Sequence, residues 1–120
     1  IMRTGDRLAR IARGKKVQDA VLAMTEARSG SVVIVEDDGR VAGIFTDGDL
    51  RRHLNTPDLP NHVIDTVMST RPITLLQDQL AVEVLSLFQK HNVDDLIIVD
   101  LNGKLTGMVD IQDLPKFKIL

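Results

Sequence analysis

The sequence contains no cysteine, no tryptophan and no tyrosine. Without cysteine there are no disulfides, no thiolate zinc sites and no thiol nucleophile. That suits a reducing cytoplasm. The only aromatics are Phe45, Phe88 and Phe117, so the stacking platform used to hold single-stranded nucleic acid is missing. A net charge of −2 leaves no overall positive field to draw in a polyanion. No apolar run approaches the roughly 18 residues that span a bilayer, and no signal peptide is visible. Neither nucleic acid nor a membrane is therefore expected as a partner, and the expected location is cytoplasmic. The chain begins at Ile1 rather than Met, which reads as part of something longer.

What the chain does have is enough apolar material for a core. Of its 120 residues, 43% are hydrophobic and 27% are charged. That length suits one domain, or two half-sized units sharing a core. A unit of about 60 residues is marginal alone and gains by packing against a second.

A repeat supplies the two units. Gly39 corresponds to Gly103, Gly43 to Gly107, Asp49 to Asp113 and Leu50 to Leu114, each pair 64 residues apart. Val33 with Ile97 and Val35 with Val99 keep the same offset. In each copy a helical spacing comes first: Val17, Ala20, Val21 and Met24, then Ala81, Val84, Leu85 and Phe88. Gly30 is a candidate stop for the first helix and Asp78 a candidate N-cap for the second. Short β-branched runs at 32–35 and 96–99 read as buried strands. Asp38-Gly39 and Asn102-Gly103 are hairpin turns leading to second strands near 41–45 and 105–109. Short helices near 48–54 and 111–116 close the copies. Pro57 and Pro60 mark a linker, residues 57–62, between units at 1–56 and 63–120. The expected fold is α/β (α+β): two βαββα units related by a pseudo-twofold axis, sheets face to face, helices outside.

Two tandem units with Gly-x-x-(Thr or Ser)-x-x-Asp after the second strand resemble the cystathionine-β-synthase-type (CBS) domain pair, or Bateman module. The first copy carries Gly43-Ile-Phe-Thr-Asp-Gly-Asp-Leu50, and the second keeps Gly107 and Asp113 but has Asp110 in place of Thr or Ser. Met2-Arg-Thr-Gly-Asp6 and the stretch from Gly43 to Arg52 are similar to the C-terminal regulatory pair of bacterial D-arabinose 5-phosphate isomerases. In that family a sugar-isomerase (SIS) domain precedes the pair and makes the precursor of Kdo, a sugar of lipopolysaccharide and capsule. The resemblance implies a regulatory module without catalytic residues, joined to that isomerase domain and dimerising through its amphipathic helices near 17–28 and 79–91.

Thr46 and Asp49 fall where a strand meets a helix. Unpaired amides there favour an anion, a hydroxyl can donate to a phosphate, and a carboxylate suits a ribose diol. The plainer reading is that Thr46 or Asp47 caps the helix and Asp49 compensates its dipole. Arg51 and Arg52 follow directly and are placed for phosphate. The family's cleft borrows a wall from the other copy, which implies Ile73 and the Val93-Asp94 segment facing Ile44. A second, poorer cleft would involve Met108, Asp110 and Asp113, with the Asp110 carboxylate lying where a phosphate would. The expected ligand is a regulatory nucleotide: a cytidine nucleotide or CMP-Kdo first, an adenine nucleotide next. The competing expectation is a structural dimerisation module with no ligand.

Other features read as background. Glu36-Asp37-Asp38 sits in a turn without EF-hand spacing. His53, His62 and His91 lack metal-ligand spacing. The basic stretch Arg3, Arg7, Arg10, Arg13, Lys15 and Lys16 is a solvated face, or else a docking surface or a source of phosphate contacts. No nucleophile–base pair or metal set suggests an enzyme.

Overall fold

The computed structural model describes residues 2–91 and 94–111. The first copy runs β1 (Arg10–Ala12), α1 (Val17–Ala27), β2 (Ser31–Val35), β3 (Val41–Thr46) and α2 (Asp47–Arg52). The second runs β4 (Thr74–Leu76), α3 (Leu80–His91), β5 (Asp95–Val99) and β6 (Leu105–Asp110). The closing helix expected near 111–116 lies, beyond Ile111, outside the described residues.

Each copy makes one three-stranded sheet, ordered β1-β2-β3 and β4-β5-β6. The strands flanking the helix pair in parallel and the hairpin strands pair antiparallel. All three strands keep the 64-residue offset, as from Ser31 to Asp95 and from Val41 to Leu105. Even the register irregularity recurs, between Ile34 and Val35 and between Ile98 and Val99.

The α1 helix forms because Val17, Ala20, Met24 and Ala27 fall on one buried face. Asp19 accepts from the Lys16 amide at 3.0 Å and so closes its first turn. Its end differs from the expectation at Gly30. Arg28 takes the left-handed conformation, φ 53°, and Ser29 N–H reaches back to the Met24 carbonyl at 2.9 Å. That closure outweighs the cost of a left-handed arginine, about 1 kcal/mol. Asp78 likewise does not cap α3 directly, because it lies in a short 3-10 turn, Gln77–Gln79, ahead of it.

The sheets face each other. Val33, Ile44, Ile97, Val99, Leu105 and Met108 fill the space between them. On the outer face of the first sheet, Ala20 and Met24 of α1 pack on Val32, Ile34 and Phe45. On that of the second, Val84 and Phe88 of α3 pack on Leu96, Ile98 and Val109. The hairpin tips, with Gly39 at φ 90° and Gly103 at φ 79°, also join. Val41 N–H donates to the Gly103 carbonyl at 3.2 Å and Leu105 N–H to that of Gly39 at 3.0 Å.

The copies also exchange their leading segments. Ser69 pairs with Ile44 in the first sheet, and Arg3 pairs with Met108 in the second. Met68 packs against the first core and Met2 against the second. The repeat therefore includes Met2-Arg3-Thr4 and Met68-Ser69-Thr70, at an offset of 66 rather than 64. Gly43 and Gly107 are needed at these crossings. A Cβ on Gly43 would lie 2.6 Å from the Ser69 carbonyl oxygen, and one on Gly107 would lie 2.5 Å from the Met2 side chain. The segment read as a linker, 57–62, is not a free spacer either, since its Leu59 is buried in the core of the first copy, as is Ile64 just beyond it.

Candidate functional site

A cleft of about 820 Å³ opens where β3 runs into α2. That volume lies within the ~300–1,000 Å³ typical of small-molecule sites. Ile44, Thr46, Asp49 and Arg51 come from the first copy, Pro72 and Ile73 from the segment that crosses from it, and Asp94 from the second copy. Ile44, Thr46, Asp49, Arg51, Arg52, Ile73 and Asp94, all singled out from sequence, thus meet along one cleft. Val93 and Asp113 lie outside the described residues.

Two assignments need correction. Met108 is fully buried between the sheets and takes no part in the lining, because it lies on the inward face of β6. Asp110, assigned to a separate second cleft, lines this one. Thr46 and its equivalent Asp110 thus line one continuous hollow. Gly30 and its equivalent Asp94 meet there too. Their carbonyls accept matching bonds, from Asp47 N–H at 2.9 Å and from Ile111 N–H at 2.8 Å.

Thr46 and Asp49 are already engaged with each other. Thr46 Oγ1 accepts from Asp49 N–H at 3.2 Å, while Asp49 Oδ2 accepts from Thr46 N–H at 3.0 Å and from its hydroxyl at 3.2 Å. This is a capping box. The other oxygen of Asp49, Oδ1, is bound by the guanidinium of Arg52. Asp49 is therefore held in place by the helix start, with one oxygen covered only by an exposed, displaceable side chain. The helix amides are largely spent on these bonds and on Gly30, so anion binding falls to the arginines.

Of those arginines, sequence reading singled out Arg51 and Arg52, held Arg3 only as part of a basic stretch, and missed Arg28 and Arg71. Among the described residues, five arginines (Arg3, Arg28, Arg51, Arg52, Arg71) and five aspartates (Asp47, Asp49, Asp94, Asp95, Asp110) line the cleft. Ile44, Pro72 and Ile73 supply an apolar wall. Arg3 is buried, donates to the Arg28 carbonyl at 3.0 Å and lies 3.8 Å from Asp110. Arg28 reaches the cleft through its left-handed turn, and Arg71 through the crossing. The Met-x-Thr echo at 66 residues was the one signal in the sequence that pointed to these segments.

Asp95 was also missed. It is the register partner of Asp110 across β5 and β6, as Ser31 is of Thr46 across β2 and β3. Burial, then the charges of Asp110 and Asp94, push its pKa up from 3.8 to about 7, against opposition from the Ser31 hydroxyl and Arg3. Its Oδ1 is buried without a hydrogen-bond partner among the described residues.

Comparison with known proteins agrees with this architecture. The CBS domain family profile matches residues 1–56 and 63–117, and the chain belongs to that family. It is 33% identical over 115 residues to the arabinose 5-phosphate isomerase KdsD of Pseudomonas aeruginosa, covering 95% of this chain and 35% of that protein. The chain thus spans about a third of the length of the curated relatives it matches. Among solved structures, the CBS domain protein of Pyrobaculum aerophilum complexed with AMP superposes with a TM-score of 0.79 at 23% identity, covering 92% of this chain and 86% of that one. The CBS domain pair of protein MJ0100, in complex with 5′-methylthioadenosine and S-adenosyl-L-methionine, gives a TM-score of 0.82 at 20% identity, covering 94% and 87%. No helix among the described residues is long and apolar enough to cross a membrane.

Proposed function

We propose that this CBS pair is the nucleotide-sensing regulatory part of a D-arabinose 5-phosphate isomerase, acting beside a separate sugar-isomerase domain in the cytoplasm. The observation that carries the reading is the ionic cleft around Thr46 and Asp49, where arginines and an apolar wall stand together. A phosphate-bearing ligand would draw Arg52 off Asp49 Oδ1. The freed carboxylate oxygen would then accept from a ribose hydroxyl, and the guanidinium would bind the phosphate. Ile44, Pro72 and Ile73 would flank the base.

A cytidine nucleotide or CMP-Kdo is the favoured ligand. Feedback by the activated sugar on the enzyme that makes its precursor is sensible control, and a ligand bearing both phosphate and carboxylate suits several arginines. An adenine nucleotide is the second reading, favoured by the adenosine ligands of the two structural neighbours. Titration calorimetry with AMP, CMP and CMP-Kdo tests both. Asp49→Ala is expected to weaken the ligand that binds by about 10- to 100-fold, the loss of hydrogen bonds to a charged group. Binding that ignores Asp49→Ala sinks the diol contact, and no binding by any of the three sinks the nucleotide reading.

A homodimer through α1 and α3 belongs to the same proposal. Leu22, on the outer side of α1, is 57% exposed. Leu22→Glu is expected to turn a sedimenting dimer into a monomer at tens of micromolar. A wild-type chain that is already monomeric there counts against the dimer.

A further inference from the structure

The cleft is charged unevenly. Arg51, Arg52 and Arg71 outnumber Asp47 and Asp49 towards α2 and the crossing, whereas Asp94, Asp95 and Asp110 outnumber Arg3 and Arg28 where β5 begins and β6 ends. Register partners in an antiparallel pair stand about 5 Å apart at Cβ, close enough for two carboxylates to repel. An ionised Asp95 would carry that repulsion in addition to the cost of its buried, unpartnered Oδ1. A neutral Asp95 escapes both.

Among the described residues, four groups act on Asp95. Asp110 faces it from β6, Asp94 precedes it on its own strand, Ser31 lies opposite on β2, and Arg3 comes from the leading segment. Arg3 is shared with Asp110 and with the Arg28 carbonyl, so it offsets the negative charge only in part.

We propose that the cleft takes up a proton when it takes up an anionic ligand, Asp95 being the group that accepts it. The inference rests on the reading that the cleft binds a phosphate-bearing molecule. A phosphate seated among the arginines adds negative potential to a place that already holds three carboxylates. Asp95 answers by binding one proton from solvent at its carboxylate. Affinity then falls as pH rises, and the module reports pH together with its ligand.

The experiment is calorimetric titration of the wild-type chain and Asp95→Asn with AMP, CMP and inorganic pyrophosphate. It is run at pH 6.5, 7.5 and 8.5 in buffers of differing ionisation enthalpy. Wild-type affinity is expected to fall about tenfold from pH 6.5 to 8.5, as expected for one added charge at this range. Net proton uptake should appear at pH 7.5. In Asp95→Asn both effects should vanish, and binding at pH 8.5 should be tighter than in wild type. A phosphate's own ionisation near pH 6 acts in the opposite direction and is common to both proteins. Binding whose pH dependence is the same in the two proteins overturns this inference and leaves the nucleotide reading intact. Proton-linked binding of pyrophosphate without binding of AMP or CMP keeps the inference and overturns the nucleotide reading. No binding by any probe overturns both.

Discussion

The two ends of the cleft occupy equivalent places in the repeat and have opposite chemistry. In the first copy the paired positions are Ser31, Thr46 and Ser69, three hydroxyls. In the second copy the same positions hold Asp95, Asp110 and Arg3, three ionisable groups. The backbone treats them alike, with the same register, the same crossing and the same carbonyl bonds at Gly30 and Asp94. One backbone can therefore carry hydroxyls at these positions in one copy and ionisable groups in the other. The difference lies wholly in side chains, and it breaks the symmetry that a twofold repeat would otherwise give the site.

The largest effect should come from the crossings, where the likeness between copies is strongest. Gly43→Ala puts a methyl against the Ser69 backbone oxygen and threatens both hydrogen bonds between Ile44 and Ser69, at 2.9 and 2.8 Å. We expect a loss of about 3 kcal/mol in urea unfolding, the upper range for overpacking. Gly107→Ala meets mainly the flexible Met2 side chain, so about 1 kcal/mol is expected. Equal losses would mean that the two crossings are mechanically the same.

A smaller effect sharpens the contrast between the ends. With its pKa raised to about 7, folded Asp95 holds its proton where the unfolded chain has lost it. The folded state binds the extra proton between about pH 4 and pH 7. Its contribution is complete below pH 4 and is lost as pH rises through 7. Asp95→Asn should therefore match wild type at pH 4 and exceed it at pH 8. The full displacement corresponds to about 4 kcal/mol. Asp95 is only partly buried, so about 2 kcal/mol is expected. Thermal unfolding across that range checks it, and a variant no more stable than wild type at pH 8 would show that Arg3 already neutralises the acid end.

Much of this was legible in the chain itself. Periodicity and the 64-residue offset located the helices, the hairpins and the equivalence of Val33 with Ile97, though not the leading strands β1 and β4, because burial on a pleated sheet repeats every second residue and any slip exposes the core. The Thr46 and Asp49 pair was also legible, as a strand-to-helix motif. What the sequence did not reveal depends on contacts between distant segments. Arg28 ends its helix in a left-handed turn because closure back to Met24 was available, a balance no propensity predicts. Met2-Arg3 and Met68-Ser69 leave their own copies and complete the opposite sheet, so Arg3 and Arg71 reach a cleft that their place in the chain does not suggest. Asp95 reads as an ordinary polar residue at a strand start. Only the tertiary structure sets it beside Asp110 and removes its solvent, and that desolvation, a property of the surroundings and not of the residue, makes it titrate near neutral pH.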